Sequence, residues 1–316
     1  MEKRIVVTGS TGFLGRHLMN VLRERYPNET VIGLSRKDYD LMDPVQVNQM
    51  FKEIKPTHLY HLAAYSGGIG ANRTYPADFY YRNTLLTALV FEAAARYKVE
   101  KMLYPMGGCS YPATAKSPID ESQMWDGYPQ PESAGYSTAK KMGIVASLSY
   151  RQQYGLNSVV VIPGNMYGEY DNFRINESHV VPAMIRRYYE AKLNGLKRVE
   201  MWGTGNPQRD FVYAGDVAKL LPEFMEKYDS SEPVNISTGT ATTIRELCET
   251  IKEMMDYEGE IFWDTSKPDG QQIKIFSVEK LNSLGLKCTT SLRDGLRRTI
   301  KWFADNYATG GDGIRL

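Results

Sequence analysis

The sequence predicts an α/β fold, a doubly wound parallel sheet with a smaller C-terminal substrate-binding domain, and three observations predict it. Apolar, β-branched runs at Ile5 to Thr8, Thr30 to Leu34, His58 to Leu62, Lys101 to Tyr104 and Ser158 to Ile162 alternate with longer helix-like stretches, the rhythm of repeated βαβ units. The first run passes directly into a glycine-rich turn that opens a helix. Beyond Pro163 the rhythm loosens into Gly, Asn and Pro punctuation, and 316 residues are more than one small core requires.

The first unit carries the clearest chemistry. Thr8-Gly9-Ser10-Thr11-Gly12-Phe13-Leu14-Gly15 follows the strand and leads into Arg16 to Tyr26, with apolar Leu18, Val21 and Leu22 on one face. Gly9 permits the tight turn, Gly12 lets backbone approach a pyrophosphate, and Gly15 lets helix and strand pack closely. The helix N-terminus adds amide donors and a favourable dipole. This is a Rossmann-type dinucleotide site, with residues Gly9, Ser10, Thr11, Gly12, Phe13, Leu14 and Gly15 against the cofactor. At the end of the second strand, where an acidic residue would hold a ribose 2′-hydroxyl, stand Leu34-Ser35-Arg36-Lys37. Two cations and a hydroxyl suit a 2′-phosphate and favour NADP; Asp38 and Asp40 follow closely, and NAD is the alternative.

Further along, Tyr136-Ser137-Thr138-Ala139-Lys140 sets a phenol and an ammonium four residues apart, on one face of a helix. A lysine beside the phenol, together with a cationic nicotinamide ring, would lower the tyrosine pKa, so that Tyr136 exchanges a proton with a sugar oxygen as hydride moves. The later elements read as a helix from Val181 to Asn194, a strand from Val199 to Trp202, a helix from Thr243 to Tyr257 with a Thr cap and Glu246 three residues on, and a last helix from Ser291 to Asn306. The expected organisation is a cofactor domain over 1–168 with a return segment near 208–240, a substrate domain over 169–207 and 241–306, which the resemblance given below makes a nucleotide-sugar-binding domain, and a frayed tail over 307–316.

Composition excludes several functions. With 38 Lys+Arg against 37 Asp+Glu, the chain has no field to draw nucleic acid or an anionic membrane. Cys109, Cys248 and Cys288 lack CxxC spacing, so neither a disulfide framework nor a metal site is expected. No segment approaches the roughly 20 apolar residues of a membrane span, and Met1-Glu2-Lys3-Arg4 runs straight into a strand rather than a signal-peptide apolar region. A reducing, cytoplasmic setting is expected.

The glycine loop, His61-Leu62-Ala63-Ala64 and the Tyr136/Lys140 pair resemble the extended short-chain dehydrogenase/reductases. Within them, Gly67-Gly68-Ile69, Tyr75-Pro76-Ala77-Asp78-Phe79, Cys109-Ser110-Tyr111-Pro112, Asn165-Met166-Tyr167-Gly168, Asp171-Asn172-Phe173, Ser178-His179-Val180, Trp202-Gly203-Thr204-Gly205 and Lys267-Pro268-Asp269-Gly270 resemble the GDP-L-fucose synthase family. That family converts GDP-4-keto-6-deoxy-mannose to GDP-L-fucose by epimerising C3 and C5 and reducing C4 with NADPH. The resemblance implies Cys109 and His179 as base and acid of epimerisation, and Tyr136 with Lys140 as the reductase pair. It implies Arg36, Ala63, Lys140, Pro163, Asn165, Met166 and His179 at the cofactor, and Arg187, Trp202, Arg209 and Asp269 at the nucleotide. A carbon beside a ketone is acidic because its enolate spreads charge onto oxygen, so a thiolate on one face and an imidazolium on the other suffice to invert it. By residue type alone, Cys109 reads as a small buried apolar residue and His179 as a structural donor. The family also implies a homodimer paired through helices that here are Ala77 to Tyr97 and Ser137 to Tyr154.

One position departs from the family. A Ser or Thr that donates to the substrate carbonyl oxygen is replaced in Met106-Gly107-Gly108-Cys109 by Gly107, removing a hydrogen bond of roughly 3 kcal/mol in comparable oxyanion sites. Ser110, Thr138 or a water could stand in, or the glycines make room for a bulkier sugar. The expected function is an NADP-dependent nucleotide-sugar epimerase/reductase on GDP-4-keto-6-deoxy-mannose or a close GDP-sugar. The alternatives are a GDP-sugar epimerase or dehydrogenase without efficient C4 reduction, and a non-catalytic NADP-binding regulator.

Overall fold

Five apolar runs become five of the six strands of one parallel sheet: β1 (Arg4–Thr8), β2 (Thr30–Leu34), β3 (His58–His61), β4 (Lys101–Pro105) and β5 (Ser158–Pro163). The computed structural model describes residues 3–175, 177–267, 269–311 and 313–316; Met1, Glu2 and Pro268 of the motifs above lie outside them. Across the sheet the order is Val234–Ile236, β5, β4, β3, β1, β2, all parallel. All six residues of β5 are buried, as expected of a strand covered on both faces, whose sequence is then a continuous apolar run rather than an alternation.

The two faces are distinct cores. Ile5, Val7, Leu103 and Val159 pack with helix α1 (Phe13–Arg25) and the helix Ala214–Lys227. Val6, Leu59, Met102 and Val160 pack with α2 (Pro44–Ile54) and, beyond the short α3 (Ile69–Thr74), with α4 (Pro76–Arg96) and α5 (Ala134–Tyr154). The chain leaves β2 on one side of β1 and re-enters as β3 on the other, so the switch point where open α/β sheets bind ligands lies between β1 and β3. A third core, with Tyr167, Phe173, Ile185, Leu247, Leu296 and Phe303, joins the helices Val180–Leu193, Ile244–Met254 and Leu292–Tyr307.

Helix ends follow their caps. Helix α1 starts at Phe13 rather than Arg16, because Gly12 is already its N-cap. The Thr243/Glu246 capping box is formed in both directions, and the helix stops at Met254, two residues before Asp256 turns left-handed at φ 50°. The end of the chain differs most from expectation. The amide of Phe173 donates to the carbonyl of Arg315 at 2.9 Å, Arg315 Nη2 donates to the carbonyl of Tyr170 at 2.9 Å, and Ile314 packs on the third core. Backbone pairing and one long cationic side chain hold a segment whose composition promised neither.

Candidate active site

The cofactor cradle is built by close approach of backbone. Gly9 has φ 71°, and a Cβ on it would stand 2.8 Å from the Ala63 amide nitrogen, at the switch point between β1 and β3. A Cβ on Gly15 would stand 2.2 Å from the Gly9 carbonyl oxygen, so the helix can reach the loop only with glycine there. The Gly12 amide donates to Gly9 at 3.0 Å. Helix α1 has no side-chain cap and no acidic residue in its first turn, leaving an N-terminus suited to an anion. Thr11 is exposed beside it, while Phe13 lies edge-on to His17 and Leu14 is buried. Ser10 is a structural residue here: its hydroxyl donates to the Leu34 carbonyl at 3.1 Å. Pro163 ends β5, the Asn165 side chain donates to the Asp210 carbonyl at 2.9 Å, and Met166 packs under the sheet. Arg36 lies exposed and 3.1 Å from Asp40, a surface pair weak enough for a phosphate to compete with.

Three of the four side chains expected to be catalytic, Cys109, Tyr136 and Lys140, come together past the C-terminal end of β4. Lys140 is buried, with Nζ 3.9 Å from the Tyr104 ring centre, and burial pushes its ammonium down to about 7. Burial, then charge at Cys109 and Tyr104, pushes the Tyr136 phenol up. The expected lowering by Lys140 is therefore not what this chain's own residues produce: desolvation outweighs any help from a lysine that burial itself drives toward neutrality. A phenol that keeps its proton at neutral pH is the donor form.

Cys109 is a free, half-buried thiol on a single 3-10 turn, Gly108–Ser110. A Cβ built on Gly107 would point into the gap between them, 3.2 Å from Cys109 Sγ and 3.8 Å from the Tyr136 hydroxyl. A Cβ on Gly108 would instead meet the Phe276 ring at 2.4 Å, so Phe276 fills that space. Ser110 is buried and its hydroxyl donates to the Ser137 carbonyl at 3.0 Å; it does not replace the hydroxyl missing at 107. His179 is exposed at the N-cap of Val180–Leu193, and among the described residues no hydrogen bond or ion pair joins it to Cys109 or Tyr136. Its loop is tied to the family's glycine pair, since the Gly68 amide donates to the Glu177 carbonyl at 3.0 Å.

The four expected nucleotide residues do come together. Arg187, Trp202, Arg209 and Asp269 line one cleft of about 410 Å³, with Asn165, Val180 and Trp263. Arg187 Nη1 donates to the Glu200 carbonyl at 3.2 Å and Arg209 Nη1 to the Gln208 carbonyl at 2.8 Å. No carboxylate pairs with either guanidinium among the described residues, the condition in which a diphosphate gains most from such forks. Asp269 is already engaged, accepting from the Thr204 amide at 2.6 Å and its hydroxyl at 2.8 Å, and its carboxylate lies so close to Gly203, at φ 79°, that a Cβ there would stand 2.3 Å from Oδ1.

Two residues of this region escaped the sequence. Desolvation lowers the proton affinity of Lys274, charge at Cys109 opposes this, and Arg209 adds to it, so the ammonium lies within electrostatic reach of both the thiol and the cleft arginine. Trp263, whose ring lies 4.6 Å from the Arg245 guanidinium, forms a wall of the cleft. Lys274 follows no motif, and only its pairing beside Gln208–Arg209 brings it inward.

Residues 5–237 match the NAD dependent epimerase/dehydratase family. GDP-L-fucose synthase 1 of Arabidopsis thaliana is 39% identical over 303 residues, covering 96% of this chain and 94% of that one. A GDP-L-fucose synthetase from Naegleria fowleri bound to NADP superposes with a TM-score of 0.90 at 28% identity, covering 98% of this chain and 96% of that one. A GDP-6-OMe-4-keto-L-xylo-heptose reductase from C. jejuni also reaches 0.90, at 27% identity and with 96% and 98% covered. The chain belongs to the NAD dependent epimerase/dehydratase family, and its likeness to the GDP-L-fucose synthases extends over 96% of its length.

Proposed function

We propose that the protein is an NADP-dependent GDP-sugar epimerase/reductase that converts GDP-4-keto-6-deoxy-mannose to GDP-L-fucose. One observation carries the reading. Cys109, Tyr136 and Lys140 come together, and Arg187 and Arg209 line a cleft in which, among the described residues, no carboxylate pairs with either guanidinium. The arginines, with the charge of Lys274 paired in register beside Arg209, suit a diphosphate; Trp202 and Trp263 offer aromatic faces to a base. The loop Gly9–Gly15, Arg36, Ala63, Lys140, Pro163, Asn165, Met166 and His179 would hold NADP, which supplies hydride to C4 when bound. Cys109 takes the proton from the carbon beside the ketone, His179 returns one to the opposite face, and Tyr136 protonates the C4 oxygen. Lys140, close to neutrality in the chain alone, gains charge wherever an anion or dipole approaches it.

We further propose that the enzyme is a cytoplasmic homodimer, and that residues 1–168 with the return segment near 208–240 act as the cofactor domain. Among the described residues no helix is long and apolar enough to cross a membrane. Incubation with the keto-sugar, NADPH and deuterated water tests the function: label at C3 and C5 with NADPH consumed supports it, and cofactor binding without either reaction refutes it. The missing side chain at Gly107, beside Cys109 and Tyr136, favours a second reading, a larger GDP-sugar such as a heptose; preferential turnover of a GDP-keto-heptose would select it.

A further inference from the structure

Asn72 is 4 % exposed on α3, and its side chain serves the turn that precedes that helix. Its Nδ2 donates to the carbonyls of Gly67 at 2.9 Å and Gly68 at 3.0 Å, while its Oδ1 is buried without a hydrogen-bond partner among the described residues. Burying an amide oxygen unpaired is unfavourable, so what the position gains is the pair of bonds that its NH2 makes. Asn83 on α4 holds the start of the same segment, accepting from the Tyr65 amide at 3.0 Å and donating to the Tyr65 carbonyl at 2.9 Å. Buried side-chain amides thus fix residues 65–68 at both ends.

Held in this way, the turn touches two parts of the site. On one side a Cβ on Gly67 would stand 3.2 Å from the Phe79 ring, and that ring lies T-shaped to the Tyr136 ring with centres 6.1 Å apart. On the other the Gly68 amide donates to the Glu177 carbonyl at 3.0 Å, and a Cβ on Gly68 would stand 2.8 Å from that oxygen and 3.0 Å from the Ser178 carbonyl. The backbone at Gly68 therefore rests directly against the two residues before His179, an approach that glycine allows. His179 follows as the N-cap of the helix Val180–Leu193, with no side-chain cap hydrogen bond, so its reach is set by where the backbone of 177–178 is held.

We propose that Asn72 is a positioning residue of the epimerase half of the site: by fixing the carbonyls of Gly67 and Gly68 it aims the Gly68 amide at Glu177, and so sets the backbone from which His179 reaches the sugar. This rests on the acid role of His179 proposed above. A proton donor displaced by about 1 Å loses up to roughly 100-fold in rate, which is how a side chain that touches no substrate acts on the reaction.

The test joins kinetics to amide exchange in the whole chain. Asn72→Ala is expected to slow deuterium incorporation into the keto-sugar roughly 10- to 100-fold, through kcat, with KM for the keto-sugar and Kd for NADPH little changed. In a His179→Gln background the same substitution is expected to cost nothing further, because the effects of residues that act as one unit do not add. A side chain that only stabilised the fold would weaken NADPH binding and slow incorporation alike in both backgrounds. Exchange of the Gly68 amide, read by NMR, is expected to quicken roughly tenfold as its bond to Glu177 loosens. Incorporation at the wild-type rate, or Gly68 exchange at the wild-type rate, overturns the proposal. Gly68→Ala, whose Cβ would push the 177–178 backbone away, is expected to give the same loss of incorporation and takes the place of Asn72→Ala should that variant not fold. If His179→Gln keeps full incorporation, it is the acid role of His179 that fails, while Gly68 exchange still decides whether Asn72 holds the turn.

Discussion

Gly107 is the residue on which the balance of the two reactions turns. The direction of its Cβ, toward Cys109 Sγ and the Tyr136 hydroxyl, means that a serine there would present its hydroxyl to a carbonyl oxygen held by Tyr136. Gly107→Ser is therefore expected to raise the rate of C4 reduction roughly 100-fold, the gain that one oxyanion donor of about 3 kcal/mol allows, measured as NADPH consumption in single turnovers. No change would mean that water or the substrate already supplies that bond. Cys109→Ser and Tyr136→Phe separate the steps. The first is expected to lose exchange of the C3 and C5 hydrogens, and the second to keep exchange yet consume little NADPH. Mass spectrometry of the products shows the label, and exchange at the wild-type rate in Cys109→Ser would reduce Cys109 to a packed thiol.

At the scale of elements, β1 and β3 are joined below the cofactor loop by a buried side-chain contact, Thr8 Oγ1 to His61 Nδ1 at 2.8 Å. Burial, with the Lys140 charge adding to it, pushes the His61 imidazolium down to about 3. The unfolded chain takes up that proton near 6.5. Between these values the unfolded state holds the extra proton, so this contribution is whole above about 6.5 and is lost as pH falls toward 3. His61→Gln is expected to flatten the acid limb of stability from pH 6.5 to 4, checked by urea unfolding across that range; an unchanged slope would refute the assignment. The strands, the glycine loop and the Tyr136/Lys140 helix were legible because their signals are local: a run, a turn, a spacing of four. Ser10 and Ser110 were not, because a hydroxyl's direction is set by a distant carbonyl. Lys274, Trp263 and the Arg315 segment lie in stretches with little periodicity and are placed by partners far away in the chain.

At the scale of the molecule, α4 and α5 lie side by side and leave an apolar surface outward. Met142, Val145 and Leu148, spaced at three, follow one stripe of α5, and Tyr80 and Tyr81 stand exposed on α4. A stripe of this kind is best covered by a copy of itself, through a two-fold pairing of the same helices. Leu148→Asp, at an exposed position that a monomer tolerates, is expected to convert a dimer to a folded monomer, with light scattering as the measure. An unchanged mass would move the interface elsewhere.

The Phe276 ring against Gly108 also sets an order in which this site can change. A side chain at 108 would overlap that ring, and overpacking of this kind costs roughly 1 to 3 kcal/mol, so position 108 gains a substituent only after 276 has shrunk. Position 107 asks less of its neighbours: a Cβ there would meet the Cys109 thiol at 3.2 Å, so one side chain must yield by a few tenths of an ångström, and a hydroxyl enters by a single substitution. Two adjacent glycines that look alike in the sequence thus differ in history's freedom: a lineage can pass between hydroxyl-bearing and bare forms at 107 one substitution at a time, whereas 108 and 276, far apart in the chain, must move as a pair.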